Sequence, residues 1–162
     1  MNKLTHISNS GHVKMVDVTE KPASLRSARA RATVHLGRQT LAQVLDFKVA
    51  KGNVLETARI AGIMAAKRTG DLIPMCHPLN ITHAQVDFAP EPQTGRIVVT
   101  ASVRLSGPTG VEMEALTAGS VACLTIYDMC KALDKSIRIT DMMLLEKAGG
   151  KSGHYRHPEA GR

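Results

Sequence analysis

The chain has 162 residues, 43% of them hydrophobic and 2% aromatic, so it is long enough to bury a core and must build it from aliphatic side chains. Its net charge of +7 favours an anionic partner, and with two Tyr, two Phe and no Trp it offers little platform for stacking unpaired bases. A small phosphorylated ligand is therefore favoured over nucleic acid.

Ala28, Ala30, Ala32, Val34 and Leu36 alternate with Arg29, Arg31, Thr33 and His35, which predicts a half-buried strand with a basic outer face; Arg26 stands at its start. Thr40 is placed to cap a short helix reaching Phe47. Asn53, with Glu56 three residues on, caps a second helix running to Arg68 and closed by Gly70, with Val54, Ala58, Ala61 and Ala65 on its buried line. Lys51 falls in the loop between these helices and Lys67 in the last turn of the second. Two prolines in DLIPMCHPL, residues 71–79, rule out a regular helix and put Met75, Cys76 and His77 on a stiff connector. Ala84, Val86 and Phe88, then Ile97, Val99, Ala101, Val103 and Leu105, alternate with polar residues and form two strands joined across the loop at 89–95.

The longest helical pattern follows, from Thr109 to Leu133, with Leu116, Cys123, Ile126, Cys130 and Leu133 at three- and four-residue steps. Ala115, Ala118, Gly119, Ser120 and Ala122 keep its first half small, which lets another backbone come close. A glycine inside a helix costs about 1 kcal/mol relative to alanine, so Gly119 is expected to have a packing reason. Ile137 and Ile139, then residues 142–145, predict two more short strands. The order β-α-α-β-β-α-β-β implies an α+β fold, an antiparallel sheet with helices on one face.

The three cysteines, Cys76, Cys123 and Cys130, are odd in number and lack CxxC spacing, which argues against a disulfide framework or zinc knuckle and for a reduced, cytoplasmic protein. No apolar run is long enough for a signal peptide or a membrane span. The expectation is a single domain over 1–162 with mobile ends at 1–14 and 154–162.

Asp128 and Lys131, neighbours near the end of the long helix, read either as an exposed ion pair or as an acid and a base. Glu112 and Glu114 at its start read either as groups complementing the helix dipole or as part of a site. His77 has no partners at ligand spacing nearby, so no metal is expected. AGGKSG at 148–153 fails as a phosphate loop, because Leu145 stands where the first glycine belongs and no helix follows; a basic arm and a plain tail both fit it. Lys51, Lys67, Lys131, Lys147 and Lys151 gather at loop and helix ends, a pattern compatible with an anion site.

Taken together, MVDV at 15–18, ETARIAGIMAAKRT at 56–69, DLIPMCHPL at 71–79, TGVEMEALTAGSVACLTIYDMCKA at 109–132 and KAGGKSG at 147–153 closely resemble the cyclic pyranopterin monophosphate synthases of molybdenum-cofactor biosynthesis. The resemblance implies a ferredoxin-like α+β subunit, a homohexamer assembled as a trimer of dimers, and an active site at a subunit interface. It implies a nucleotide triphosphate substrate, 3',8-cyclo-7,8-dihydroguanosine 5'-triphosphate, rearranged to cyclic pyranopterin monophosphate with release of diphosphate, and no cofactor. By motif position it gives Asp128, Lys131 and Lys51 catalytic roles and assigns substrate contacts to Met75, Cys76, His77, Met113 and Glu114, with Lys67 and Lys147 beside them. A lysine beside an aspartate suits proton transfer if its pKa is depressed toward neutrality. Because Lys51 lies far in sequence from Asp128 and Lys131, it is expected to come from one protomer and the other two from its partner.

The rival from another class is a nucleic-acid-binding module that uses Arg26, Arg29 and Arg31 on the basic strand face; few aromatics and no recognised motif weigh against it.

Overall fold

The computed structural model describes residues 11–161; residues 1–10, most of the end expected to be mobile, lie outside the described residues. The elements are β1 (Ser24–His35), α1 (Arg38–Leu45), α2 (Val54–Ala66), α3 (Thr69–Leu72), β2 (His83–Glu91), β3 (Arg96–Gly107), α4 (Glu112–Cys130), β4 (Arg138–Ala148) and β5 (Tyr155–Arg156). They build one antiparallel sheet in the order β2-β3-β1-β4-β5. Leaving aside β5, this βαββαβ path and strand order are those of a ferredoxin-like α+β fold, with the helices on one face.

The alternation in the strands is what directs the core. Ala28, Ala30, Ala32 and Val34 of β1 and Ile97, Val99, Ala101, Val103 and Leu105 of β3 turn inward under the helices. Opposite them α4 buries Ala115, Ala118, Ala122, Cys123, Ile126 and Cys130. Burial raises the thiol pKa of Cys123 to about 12 and that of Cys130 to about 11, so both stay protonated and inert. Small side chains let α4 pack closely against both the sheet and α2, which itself also packs on β2. The close approach is made by Gly62 of α2, where a Cβ would stand 2.8 Å from the Ala118 carbonyl oxygen. Gly119 does not carry that contact: a Cβ there would meet Met142 Cε at 3.6 Å, ordinary van der Waals distance.

Four local expectations are corrected. Thr40 does not cap α1 but is buried inside it; Gly37 holds the N-cap with no side-chain hydrogen bond, and its φ of 76° is one that glycine tolerates. The Asn53 cap is present, its Oδ1 accepting from the Glu56 N–H, but α2 ends at Ala66 and Gly70 belongs to α3, against Pro78. Helix α4 ends at Cys130, leaving Leu133 44% exposed beyond it. The two short strands expected near 137–145 are one strand, β4. Its register against β1 slips between Arg29 and Ala30 and again between Arg31 and Thr33, so extra residues bulge out and break the period-2 pattern. Asp141, at φ 56°, sits at the second bulge.

The outer face of the sheet is less basic than its sequence implies. Arg29 pairs with Glu146 at 3.6 Å and Arg31 with Glu159 at 3.2 Å, while Arg26 donates to the carbonyls of Gly107 and Pro108. The end of the chain, expected to be mobile from 154, forms β5 along Glu146 and Lys147, and the His157 N–H donates to the Leu145 carbonyl.

Candidate active site

The expected site residues fall into two groups at opposite ends of α4. At its C-terminal end, the loop between α1 and α2 brings Lys51 onto Asp128. Lys51 Nζ donates to Asp128 Oδ2 and to its main-chain carbonyl, both at 2.8 Å, and Lys131 Nζ donates to Asp128 Oδ1 at 2.6 Å. One carboxylate is thus shared by two ammonium groups within a single chain, and the expectation that Lys51 and Asp128 come from different protomers is corrected: the α1–α2 loop folds back over the end of α4. The two lysines, Lys131 first, lower the Asp128 pKa from its ordinary 3.8 to about 2. In return Asp128 raises the pKa of Lys131, the reverse of the depression expected for it, because an adjacent anion stabilises the ammonium form. The cluster is open, with side-chain exposures of 46%, 56% and 51% for Lys51, Asp128 and Lys131.

The second group surrounds the N-terminal end of α4. A cavity of about 460 Å³ is lined by Met75, Cys76 and His77 from the connector, Met113 and Glu114 from the first turn of α4, and Val16, Val18 and Lys21 from the segment before β1. His77 Nε2 lies 2.7 Å from the Val16 carbonyl, so Nε2 carries a proton and the imidazole ties that segment to the cavity wall. Burial raises the Cys76 pKa, with Glu114 adding to the effect. Glu114 is only 3% exposed, and burial, with Glu112 behind it, raises its own pKa.

An adjoining cavity of about 320 Å³ is lined by Lys21, Arg26, Glu112, Lys147, Gly149 and Lys151, among others. Lys147 Nζ donates to Glu112 Oε1 at 2.7 Å. Gly149 and Gly150 adopt φ of 102° and 72°, and the Arg26 side chain fills the space a side chain at 150 would need. Lys67 stands apart from this rim and lines a third cavity, of about 340 Å³, on the other side of Glu114.

The sequence reading left Lys21 and Val16 unassigned, read Arg26 as part of the strand face, and gave Glu112 no committed role. Only Val16 falls in a motif block, MVDV, and nothing local marks Lys21 as rimming a cavity. Along α4, Glu114 and Asp128 stand about 21 Å apart, so the two groups cannot act together on the same reacting atoms within one chain.

A ferredoxin-like α+β chain with a Lys–Asp–Lys cluster and a cation-rimmed cavity has the equipment of an enzyme acting on a small anionic substrate. The sequence model of the MoaC family matches residues 15–150, and the chain belongs to that family. It is 56% identical over 163 residues to a cyclic pyranopterin monophosphate synthase of Desulforapulum autotrophicum, covering 98% of this chain and 100% of the relative. It is 54% identical over 157 residues to the cyclic pyranopterin monophosphate synthase of Chloroflexus aurantiacus strain J-10-fl, covering 97% of this chain and 96% of the relative; the protein of strain Y-400-fl matches to the same extent.

Proposed function

We propose that the chain is a cytoplasmic enzyme converting 3',8-cyclo-7,8-dihydroguanosine 5'-triphosphate to cyclic pyranopterin monophosphate and diphosphate; the names of its relatives support the product. The observation that carries this reading is the pairing of an acid–base cluster, Lys51, Asp128 and Lys131, with a cavity of nucleoside size whose neighbour is rimmed by Lys21, Arg26, Lys147 and Lys151. The cavity holds the fused ring and ribose, and the cationic rim holds the triphosphate. A ribose-derived hydroxyl then attacks the α-phosphorus: a new O–P bond forms, the P–O bond to diphosphate breaks, and the cations stabilise the charge on the leaving group. Ring opening and reclosure need protons moved at nitrogens and hydroxyls. Two ammonium groups around one carboxylate supply donors and an acceptor within hydrogen-bond reach of each other.

The separation along α4 supports a site completed by a second copy, in which the cluster of one protomer faces the cavity of its partner. Exposed Ile60, Met64 and Leu124 leave apolar surface on the helical layer, and Phe47, at φ 56° and 71% exposed in the loop that leads to Lys51, adds to it. These features support a homo-oligomer, and the family resemblance makes it a hexamer built as a trimer of dimers. Mass spectrometry of products after incubation with the cyclised nucleotide tests the activity: cyclic pyranopterin monophosphate and diphosphate are expected, and unchanged substrate would remove the reading.

A further inference from the structure

The outer face of the sheet, turned away from the helices, holds a guanidinium group whose hydrogen-bonding capacity its own chain leaves unused. Arg29 Nε is buried with no acceptor among the described residues, and its ion-pair partner, Glu146 Oε1, lies 3.6 Å from Nη1, beyond hydrogen-bond range. A buried donor left unpaired is costly, so an acceptor arriving from outside the chain gains more here than at an ordinary surface arginine. The antiparallel register decides what stands beside it. Ser102 of β3 lies opposite Arg29, and two residues along, Ser27 of β1 lies opposite Arg104 of β3. Their neighbours Ala28, Ala101 and Val103 point into the core, which sends all four side chains to the outer face. Two arginines therefore occupy one diagonal of a square and two serines the other, on strands about 4.8 Å apart. The short serines leave the floor open, and His83 of β2, opposite Arg104, closes one side of a cavity of about 280 Å³. Arg104 is exposed, and among the described residues neither its side chain nor that of His83 has a partner. Glu146 is the acid that lines the cavity, so the two arginines leave it with net positive charge.

We propose that this square is a binding site for a small tetrahedral oxyanion, a phosphate group, held by the guanidinium groups of Arg29 and Arg104 and by the hydroxyls of Ser27 and Ser102. It is distinct from the cation-rimmed cavity near α4, with which it shares only Ser27. Donors at four corners suit an anion that carries oxygens in four directions. A planar carboxylate is satisfied by one guanidinium fork and would leave the second arginine unmatched. Arg29 is free to turn toward the anion because its contact with Glu146 is long and its Nε has nothing to give up.

The test is isothermal titration of sodium phosphate into the intact protein at fixed ionic strength. Wild type is expected to show saturable binding that Arg29→Gln and Arg104→Gln each weaken at least about tenfold, the scale of a lost hydrogen bond to a charged group. Neither arginine is a core residue, so the melting temperatures of both variants should stay near wild type. Lys147→Gln removes a cation of the other cavity and should leave this binding in place. In wild type, which needs no variant to fold, sulfate is expected to displace the phosphate and acetate to compete poorly. Absence of saturable binding by wild type, binding unchanged in both arginine variants, or binding abolished by Lys147→Gln alone would each overturn the proposal. Acetate competing as well as sulfate would overturn the tetrahedral assignment. Displacement of the phosphate by a short DNA duplex would overturn the small-ligand form, because the site would then hold a nucleic-acid backbone.

Discussion

Lys51 Nζ is held at 2.8 Å by both the side-chain Oδ2 and the main-chain carbonyl of Asp128, a residue 77 positions later in the chain. The second contact matters because a main-chain acceptor at the end of α4 fixes where the ammonium group sits even when the carboxylate is engaged elsewhere.

Lys51→Ala, Asp128→Asn and Lys131→Ala are each expected to reduce turnover at least about 10²-fold, the usual scale for a general acid or base. All three side chains are about half exposed, so circular dichroism and melting temperature should stay near wild type. Near wild-type turnover in any one variant would remove that residue from the chemistry.

If the cluster of one protomer serves the cavity of another, two kinds of dead variant should complement. Lys51→Ala mixed with Asp128→Asn should not, because both lesions fall on the same cluster. Lys51→Ala mixed with Glu114→Gln should: half the dimers in a random mixture are mixed, and each regains one of two sites, so about a quarter of wild-type activity returns. Subunit exchange confirmed by distinct tags, with no recovery in the second mixture, would place the whole site in one chain. Light scattering on the wild type should show a closed oligomer larger than a dimer, and a stable, active monomer would contradict this arrangement.

The charge cluster also predicts a pH dependence of stability. The folded Asp128 carboxyl titrates at about 2, below its ordinary 3.8, so it contributes stability that is present above about pH 4 and lost as the pH falls toward 2. Lys131, raised by the same contact, contributes below its ordinary pKa and loses that contribution as the pH rises through the folded value. Thermal melts of wild type and Asp128→Asn should therefore differ most near neutral pH and converge by about pH 2; a gap that did not change with pH would show that the ion contacts do not stabilise the fold. The effect should be modest, because the groups face water.

Two glycines separate packing from propensity. Gly62→Ala pushes a methyl group against the Ala118 carbonyl and Val86 and is expected to cost about 1–3 kcal/mol, as overpacking does. Gly119→Ala meets only ordinary contacts and should be neutral or stabilising by up to about 1 kcal/mol through helix propensity. Urea unfolding of the two variants checks both, and the reverse order would mean that α2 and α4 do not pack as described.

The sequence alone determined what short-range periodicity can carry. The alternation in 28–36, 84–88 and 97–105 marks β1, β2 and β3, and the three- and four-residue steps mark α2 and α4, because the choice between facing core and facing water is repeated within a few residues. Its motif blocks also picked out His77, Glu114 and Asp128 as site candidates, although spacing alone left Asp128 indistinguishable from a surface ion pair.

Only the tertiary structure decided which residues meet. The bulges in β4 depend on its register against β1, so the sequence looked like two strands. Gly62, not Gly119, makes the close contact, because which small residue matters is set by where a second helix crosses. Lys51 reaches Asp128 in its own chain because the α1–α2 loop returns over the end of α4, a path no local pattern encodes. Glu114 is buried because the connector and the segment before β1 close around one end of α4, and burial of a charged group depends on those distant neighbours rather than on its own position in a helix.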